Sequence, residues 1–235
     1  MSDAPLGLPV VSARELASRQ VLLAVSVRGS GLAAAHTVPG QYSRLTLEDG
    51  VARQFVIASP PGSSNFEFLL KVPPERVAAL TALGPEDRVL VGRPQGAGFP
   101  LVQAEGRSLF LIGVGSGIAA LRSVVEHLLP RRTSFDDVTL LYGVRHHDEL
   151  AFVERFGDWA GHSIKVVPVV SRPRPDQAGA GWDGATGYVQ HHLPRSFAKP
   201  SRVCVFLCGL PEMEKAVAAA LLERGVGPDQ VHRNW

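Results

Sequence analysis

Two hydrophobic patterns divide this sequence near residue 104. Before that point, short apolar runs are separated by turn residues every few positions, a pattern typical of antiparallel strands. Predicted strands cover residues 20–27, 42–47, 53–57, 65–71 and 88–92, and one short helix is predicted at 75–83. Breaks such as Pro39-Gly40 and Asp49-Gly50 fall at intervals that favour an antiparallel sandwich or barrel for this half.

After residue 106 the apolar runs become nearly continuous in Val, Ile and Leu, and helical patterns separate them. Such runs indicate strands buried on both faces, and their alternation with helices predicts a parallel sheet covered by helices. The predicted strands are 108–112, 138–142, 164–170 and 203–207, and the predicted helices are 118–129, 147–159, 186–193 and 211–223. The sequence therefore predicts a β-domain at residues 1–104 and an α/β domain at 105–235.

The first strand of the second half leads into a glycine-rich turn and then directly into a helix. Residues 113–117 read Gly-Val-Gly-Ser-Gly. Glycines let the backbone approach phosphate oxygens, and a helix N-terminus offers free N–H groups with a partial positive charge. The candidate phosphate-binding residues are Gly113, Gly115, Ser116 and Gly117. A tight strand-to-helix turn without a ligand also uses glycines, so this pattern alone leaves both interpretations open.

Three further loops follow predicted strands of the second half, beginning near residues 142, 171 and 208. Ligands of parallel α/β sheets collect at the carboxyl ends of the strands, so four loops at this edge favour a nucleotide site. A guanidinium beside a hydroxyl suits a 2′-phosphate, because it forms charge-assisted bidentate hydrogen bonds. Ser171 and Arg172 therefore favour NADP over NAD, since no acidic ribose-binding residue is evident. A solvent-facing loop arginine is the simpler alternative for Arg172.

Composition and charge narrow the class of protein. A net charge of +2 and a charged content of 20% give no basic excess for a nucleic-acid surface. No apolar run approaches the roughly 18 residues that cross a bilayer, and the first residues do not resemble a secretion signal, so we expect a cytoplasmic protein without a membrane span. Cys204 and Cys208 would lie about 13 Å apart on one strand, too far for a disulfide. Two thiols cannot hold an iron–sulfur cluster, and the histidine spacing predicts no metal site.

The order of these segments resembles the ferredoxin-NADP reductase superfamily, two-domain flavoproteins that pass electrons between a nicotinamide and an acceptor. The family's Gly-x-Gly-Thr-Gly-Ile-Ala-Pro loop occurs here as Gly-Val-Gly-Ser-Gly-Ile-Ala-Ala at 113–120, and Ser116 keeps the hydroxyl. Its Tyr-Gly-x-Arg segment ends at Arg145, and its Cys-Gly-Pro-type turn begins at Cys208-Gly209. The resemblance covers nearly the whole chain. It implies an FAD-binding antiparallel β-barrel followed by an NAD(P)-binding α/β domain, without an iron–sulfur module.

The first half carries a less complete version of the family's flavin motif, Arg-x-Tyr-Ser/Thr-x-x-Ser. Residues 53–59 read Arg-Gln-Phe-Val-Ile-Ala-Ser. The resemblance implies that Arg53 pairs with the flavin diphosphate, that Phe55 packs against the flavin and that Ser59 belongs to the same site. Val56 replaces the hydroxyl that bonds the flavin N5 edge, so that contact is lost or made by a backbone N–H. The alternatives are an exposed arginine at 53 and a core aromatic at 55.

Four other positions receive an expectation from the resemblance. Residues 92–99 resemble the family's Gly-Pro-x-Gly-x-Phe connection, which would place Gly96 at the flavin end of a cleft between the domains. Cys208 would lie near the nicotinamide, although an inert buried thiol is the more common role. Trp235 would cover the flavin face, as a terminal aromatic does in several relatives. The family's Gly-x-x-Ser/Thr turn should fall at 74–77, where neither glycine nor hydroxyl is present.

The sequence thus predicts an FAD-dependent NAD(P)H oxidoreductase that passes electrons to a separate acceptor, such as a small redox protein. No catalytic acid or base is predicted, because hydride transfer does not require one. The departures at residues 56 and 74–77 leave a second interpretation open. In that interpretation the chain is a nucleotide-binding regulatory or interaction protein with weak or lost flavin binding. A dehydrogenase without flavin is a third option, which leaves the β-domain without a role.

Overall fold

The first domain is an antiparallel barrel. The computed structural model describes residues 4–47, 49–174 and 181–234. Within them the first sheet has the strand order β4-β3-β6-β1-β2-β5, and Ile57 pairs with Phe68 so that the end of β4 meets β5 and closes the barrel. The elements of this domain are β1 (Leu6–Ala17), β2 (Gln20–Ser26), α1 (Leu32–Ala35), β3 (Tyr42–Thr46), β4 (Ala52–Val56), β5 (Asn65–Lys71), α2 (Pro74–Thr81) and β6 (Arg88–Val91).

The second domain is a parallel sheet with helices between its strands. In the described part of the chain its order is β10-β9-β8-β7-β11-β12. Residues of β8 and β11 are buried throughout, as expected for strands covered on both faces. The elements are β7 (Ser108–Val114), α3 (Ile118–Leu128), β8 (Val138–Val144), α4 (Val153–Gly161), β9 (Ile164–Val170), β10 (Ala185–Thr186), β11 (Val203–Cys208), α5 (Pro211–Leu222) and β12 (Val231–Arg233). The predicted two-part fold class is confirmed.

The two domains share one apolar core. Buried side chains of the barrel and of the parallel sheet belong to a single contact cluster, which includes Leu22, Ala58, Leu69, Leu111, Ile118 and Val124. Across the same boundary the Phe99 and Phe206 rings stack with centroids 4.7 Å apart. The Ser123 hydroxyl donates to the Ser59 carbonyl at 2.9 Å. Apolar contact and directed hydrogen bonds therefore hold the domains in one orientation.

Some predicted elements were wrong. The predicted helix at 186–193 is a 3-10 turn, Val189–His192, because Gly187 has a positive φ of 96° and the helical path cannot pass through it. The predicted helix at 147–159 is a 3-10 turn followed by α4, because Phe152 adopts a left-handed conformation at φ 63°. Strands β1, β10 and β12 were not predicted.

Candidate nucleotide-binding cleft

A cleft of about 770 Å³ lies between the barrel and the carboxyl edge of the parallel sheet. This volume is in the range of sites that hold a cofactor. Ten of the predicted site residues line it, namely Phe55, Val56, Gly115, Ser116, Gly117, Arg145, Ser171, Arg172, Cys208 and Gly209. Arg53, Ser59, Gly96 and Gly113 do not line it, and Trp235 lies outside the described residues. The structure therefore brings the loops of four neighbouring strands, β9, β8, β7 and β11, and the barrel wall to one place.

The glycines of the 113–117 loop serve two different purposes. A methyl group at Gly113 would come 2.7 Å from the Leu121 side chain, and one at Gly117 would overlap the Cys208 carbonyl oxygen. These two glycines are required by close packing of α3 and β11. Gly115 has a positive φ of 55° and open space where a side chain would stand. The turn lines the cleft and leads directly into α3, so Gly115 and the exposed Ser116 suit an anionic ligand.

Two arginines meet where β8 and β9 end. The Arg172 N–H donates to the Arg145 carbonyl oxygen at 2.8 Å, and the Ser171 N–H donates to the Val144 carbonyl oxygen at 2.9 Å. The Arg145 and Arg172 side chains are exposed and line the cleft. The Ser171 hydroxyl donates to Val144 at 3.2 Å, which leaves its lone pairs for another donor. Two cations beside a hydroxyl form a pocket suited to a phosphate group.

Cys208 forms the floor of the cleft at the end of β11. Burial, with a smaller contribution from the Glu214 carboxylate, raises the pKa of its thiol to about 12. A thiol with this pKa is not a nucleophile at neutral pH, so Cys208 can only pack against a ligand or donate a weak hydrogen bond. Gly209 follows it in close contact with Met213 and Val114. This packing fixes the start of α5 next to the cleft.

The barrel contributes a mostly apolar wall. Phe55 and Val56 of β4 line the cleft with Leu69 and Lys71 of β5 and Tyr42 of β3. Phe55 also packs against the barrel core, and Val56 packs against the core shared by both domains. This wall can accept the face of a flat ring system, whereas Val56 offers no side-chain hydrogen bond.

Arg53 lies beside this wall in an ion pair. Its guanidinium is 2.8 Å from the Asp49 carboxylate, and Arg76 of α2 reaches the same carboxylate at 2.9 Å. The Val51 N–H and the Arg53 side chain, with Arg76, hold the pKa of Asp49 at about 2. Two guanidinium groups thus converge at the end of the barrel wall, where Asp49 already neutralises part of their charge. Arg76 occupies the 74–77 segment in which the sequence offered neither glycine nor hydroxyl.

The remaining predicted residues support the cleft without lining it. Ser59 is 98% buried. Its hydroxyl oxygen accepts a hydrogen bond from the Glu67 N–H at 3.2 Å. Gly96 has a positive φ of 88°, and a methyl group there would come 2.9 Å from the Tyr42 ring. Gly96 therefore allows Tyr42 to take its place in the cleft wall.

Sequence reasoning missed several residues that line the cleft. Tyr188 is 60% exposed, and its ring meets His191 edge to face at 5.9 Å. Gln190 follows on the same 3-10 turn. Neither Tyr188 nor Gln190 was predicted to contact a ligand, because a helix was wrongly predicted at 186–193. An aromatic residue in an amphipathic helix indicates a core position and not a ligand contact. Tyr42 and Lys71 were missed because the strand pattern gives no indication of which strand end faces the second domain.

Two kinds of site receive no support. Among the described residues there is no group of three or more His, Cys, Asp or Glu side chains that could hold a metal ion. In the same part of the chain no helix combines the length and the apolar character needed to cross a bilayer.

Comparison with known proteins gives a matching domain family and similar proteins. The family model described as oxidoreductase NAD-binding domain matches residues 111–219. The chain is similar to the sulfhydrogenase 1 subunit gamma of Pyrococcus furiosus, at 30% identity over 198 residues, covering 82% of this chain and 66% of that protein. It is similar to the fruit protein pKIWI502 of Actinidia deliciosa, at 32% identity over 210 residues, covering 82% of this chain and 64% of that protein. The chain thus spans slightly under two thirds of these relatives.

Solved structures show the same architecture. A ferredoxin NADP+ reductase from Neisseria gonorrhoeae, with bound FAD and NADP, superposes with a TM-score of 0.78 at 23% identity, covering 99% of this chain and 98% of that one. The FAD/NAD-binding domain of a nitric oxide dioxygenase from Vibrio cholerae gives a TM-score of 0.78 at 19% identity, with 97% of both chains covered. At these identities the similarity establishes the fold.

Proposed function

Because the chain belongs to the ferredoxin-NADP reductase superfamily, we propose that it is a flavin-dependent oxidoreductase that takes electrons from NAD(P)H and passes them, through FAD, to a separate acceptor. The observation that carries this proposal is the cleft, in which an apolar barrel wall faces a glycine loop and two arginines. When bound, FAD accepts a hydride from the nicotinamide and gives up its electrons in a later step.

The residues of the chain have separate tasks in this proposal. The Gly115–Gly117 turn and the N-terminus of α3 bind the nucleotide diphosphate. Phe55 and Val56 present an apolar surface to the flavin ring, and we assign its diphosphate to Arg53 and Arg76, which meet at the Asp49 carboxylate. The cleft aligns the two rings and excludes water.

We assign the 2′-phosphate of NADP to Ser171 and Arg172, with the exposed Tyr188 ring as the surface for the adenine. Tyr188 offers a flat face in the same cleft, and bases stack on such rings. Arg145, at the end of the neighbouring strand, adds a second positive charge. These residues make NADPH the expected donor over NADH.

A visible spectrum of the purified protein tests the flavin. We expect an absorption band near ~450 nm after FAD is supplied and its loss when NADPH is added without oxygen. A protein that shows no band even with excess FAD would contradict the proposal. That result would favour a nucleotide-binding regulatory or interaction protein, which Val56 and the Asp49 ion pair with Arg53 already make a specific alternative.

The nucleotide preference has its own test. Arg172→Ala should raise the KM for NADPH roughly 10- to 100-fold, because a charge-assisted hydrogen bond contributes about 1.5–3 kcal/mol, and it should leave the KM for NADH nearly unchanged. Arg174→Ala is the matched control, since Arg174 is exposed in the same loop and does not line the cleft. An unchanged NADPH to NADH ratio in Arg172→Ala would remove this residue from the site.

The acceptor and the compartment are part of the same proposal. A small redox protein or a partner subunit is the expected acceptor, because one relative is named as a subunit of a sulfhydrogenase. We also propose a cytoplasmic location for the protein.

A further inference from the structure

Glu214 is a buried carboxylate that does not line the cleft. It lies in the first turn of α5 and is 7% exposed, whereas its neighbours Glu212 and Met213 face the cleft. One carboxylate oxygen is 3.2 Å from the Arg233 guanidinium, and the other has no hydrogen-bond partner among the described residues. Burial of a carboxylate costs free energy that a single partner offsets only in part. The position of Glu214 therefore calls for a role beyond stability.

Its partner, Arg233, is the last residue of β12, the strand that pairs with β11. In β12 it is in register with Leu207, one residue before Cys208 of the cleft floor. The ion pair therefore joins the start of α5 to the end of β12, across the end of β11.

The next residue crosses to the barrel. Asn234 is 3% exposed, and a methyl group at Gly40 would come 2.7 Å from its amide oxygen and 2.8 Å from the Phe99 ring. Gly40 lies two residues before Tyr42 of the cleft wall. Asn234 and Phe99 therefore both pack against the barrel turn at Gly40, and the Phe99 ring stacks on Phe206 of the second domain.

The Asn234 side chain makes no hydrogen bond with the described residues that would fix its position. Neither its amide nitrogen nor its amide oxygen has a hydrogen-bond partner among the described residues. The preceding residue, Arg233, is held by its ion pair with Glu214 and by the pairing of β12 with β11, so the direction of the chain at Arg233 decides where Asn234 packs. A contact that begins in α5 thus ends between the two domains.

We propose that Glu214 is a positioning residue: through Arg233 it seats Asn234 between the domains and so sets the spacing of the two cleft walls. This inference rests on the proposed function, because each wall would carry one of the two rings. The effect falls on the hydride-transfer rate and spares nucleotide affinity, since the glycine loop and Arg172 belong to the second domain alone. Small misplacements of reacting groups reduce rates steeply.

The test compares Glu214→Gln, Arg233→Gln and the control Glu223→Gln. Glu223 lies at the other end of α5, with its side chain 78% exposed. In single-turnover reduction of the FAD-loaded protein by NADPH, Glu214→Gln and Arg233→Gln should each slow the reduction rate roughly tenfold, with the apparent Kd for NADPH changed less than about threefold. Glu223→Gln should match the parent protein. Arg233→Gln keeps the test informative if the buried substitution does not fold, because the Arg233 side chain is 44% exposed.

A second readout does not depend on flavin. In the protein without FAD, amide hydrogen exchange at 231–234 and near Gly40 should be faster in both variants than in Glu223→Gln. Unchanged exchange would overturn the inference whether or not the protein binds flavin. A reduction rate within about twofold of the parent, or a loss explained wholly by a higher Kd, would overturn it as well.

Discussion

Arg122 makes two hydrogen bonds across the boundary between the two domains, and its removal should cause a measurable loss of stability. From α3 its guanidinium donates to the Glu67 carboxylate at 2.7 Å and to the Ala58 carbonyl oxygen at 3.2 Å, both in the barrel. It also lies 4.8 Å above the Phe152 ring. The side chain is only 12% exposed, so water replaces these contacts poorly.

The expected loss follows from these contacts. A hydrogen bond to a charged group contributes about 1.5–3 kcal/mol, and a cation over an aromatic ring adds about 0.5–1 kcal/mol. Arg122→Met keeps the apolar stem but leaves Glu67 without its partner. We therefore expect the free energy of unfolding to fall by about 3 kcal/mol.

Urea unfolding followed by circular dichroism gives this free energy. Arg131→Met is the matched control, because Arg131 pairs with Glu105 at 3.2 Å while both side chains are more than a third exposed, at 37% and 41%. An exposed pair contributes at most about 1 kcal/mol. A double-mutant cycle with Glu67→Gln should give a coupling energy above about 1 kcal/mol for the Arg122 pair.

If Arg122→Met and Arg131→Met lose the same free energy, or if the Arg122 and Glu67 substitutions are additive, the contact does not stabilise the domain boundary.

Three further predictions concern the cleft and a buried histidine. Gly117→Ala should weaken NADPH binding at least tenfold, or about 1.4 kcal/mol, because its methyl group would overlap the Cys208 carbonyl oxygen. Gly157→Ala on α4, where the space for a methyl group is open, should leave NADPH binding unchanged. Isothermal titration calorimetry measures the affinity of both variants. Burial lowers the pKa of His36 to about 4. Between pH 4 and 6.5 the unfolded chain therefore binds more protons than the folded protein does. The free energy of unfolding should fall by about 3 kcal/mol as the pH drops through that range. His36→Phe should remove most of this pH dependence in unfolding experiments. Tyr188→Ala should raise the KM for NADPH roughly tenfold through lost base stacking, and steady-state kinetics with an unchanged KM would contradict its place in the site.

Much of the fold could be predicted from sequence because its strands are strongly patterned. Residues 138–142 and 203–207 are unbroken in apolar or β-forming side chains, which few other structures accommodate. Strand β12 could not be found in this way, because three residues have no periodicity and their pairing with β11 joins distant parts of the chain. Strand β1 contains Gly7 and Pro9, which weaken its pattern, although the barrel tolerates both.

The sequence could bring the residues of the candidate cleft together on the side of the parallel sheet, but not on the side of the barrel. Loops of a parallel sheet all emerge at one edge, so their residues could be placed together from the order of elements alone. No comparable rule says which side chains of a barrel strand face a neighbouring domain. Which of Tyr42, Phe55 and Lys71 faces the second domain depends on barrel closure and on the contact with α3, and neither can be read from local spacing.

The core that runs through both domains has a consequence for how ligands exchange. Opening the protein like a hinge would expose Leu22, Leu69 and Val124 to water together, at about 1.5–3 kcal/mol for each large side chain. We therefore expect cofactors to enter and leave through the open side of the cleft, while the two domains keep their relative orientation. Either half produced alone would therefore expose this apolar face to water.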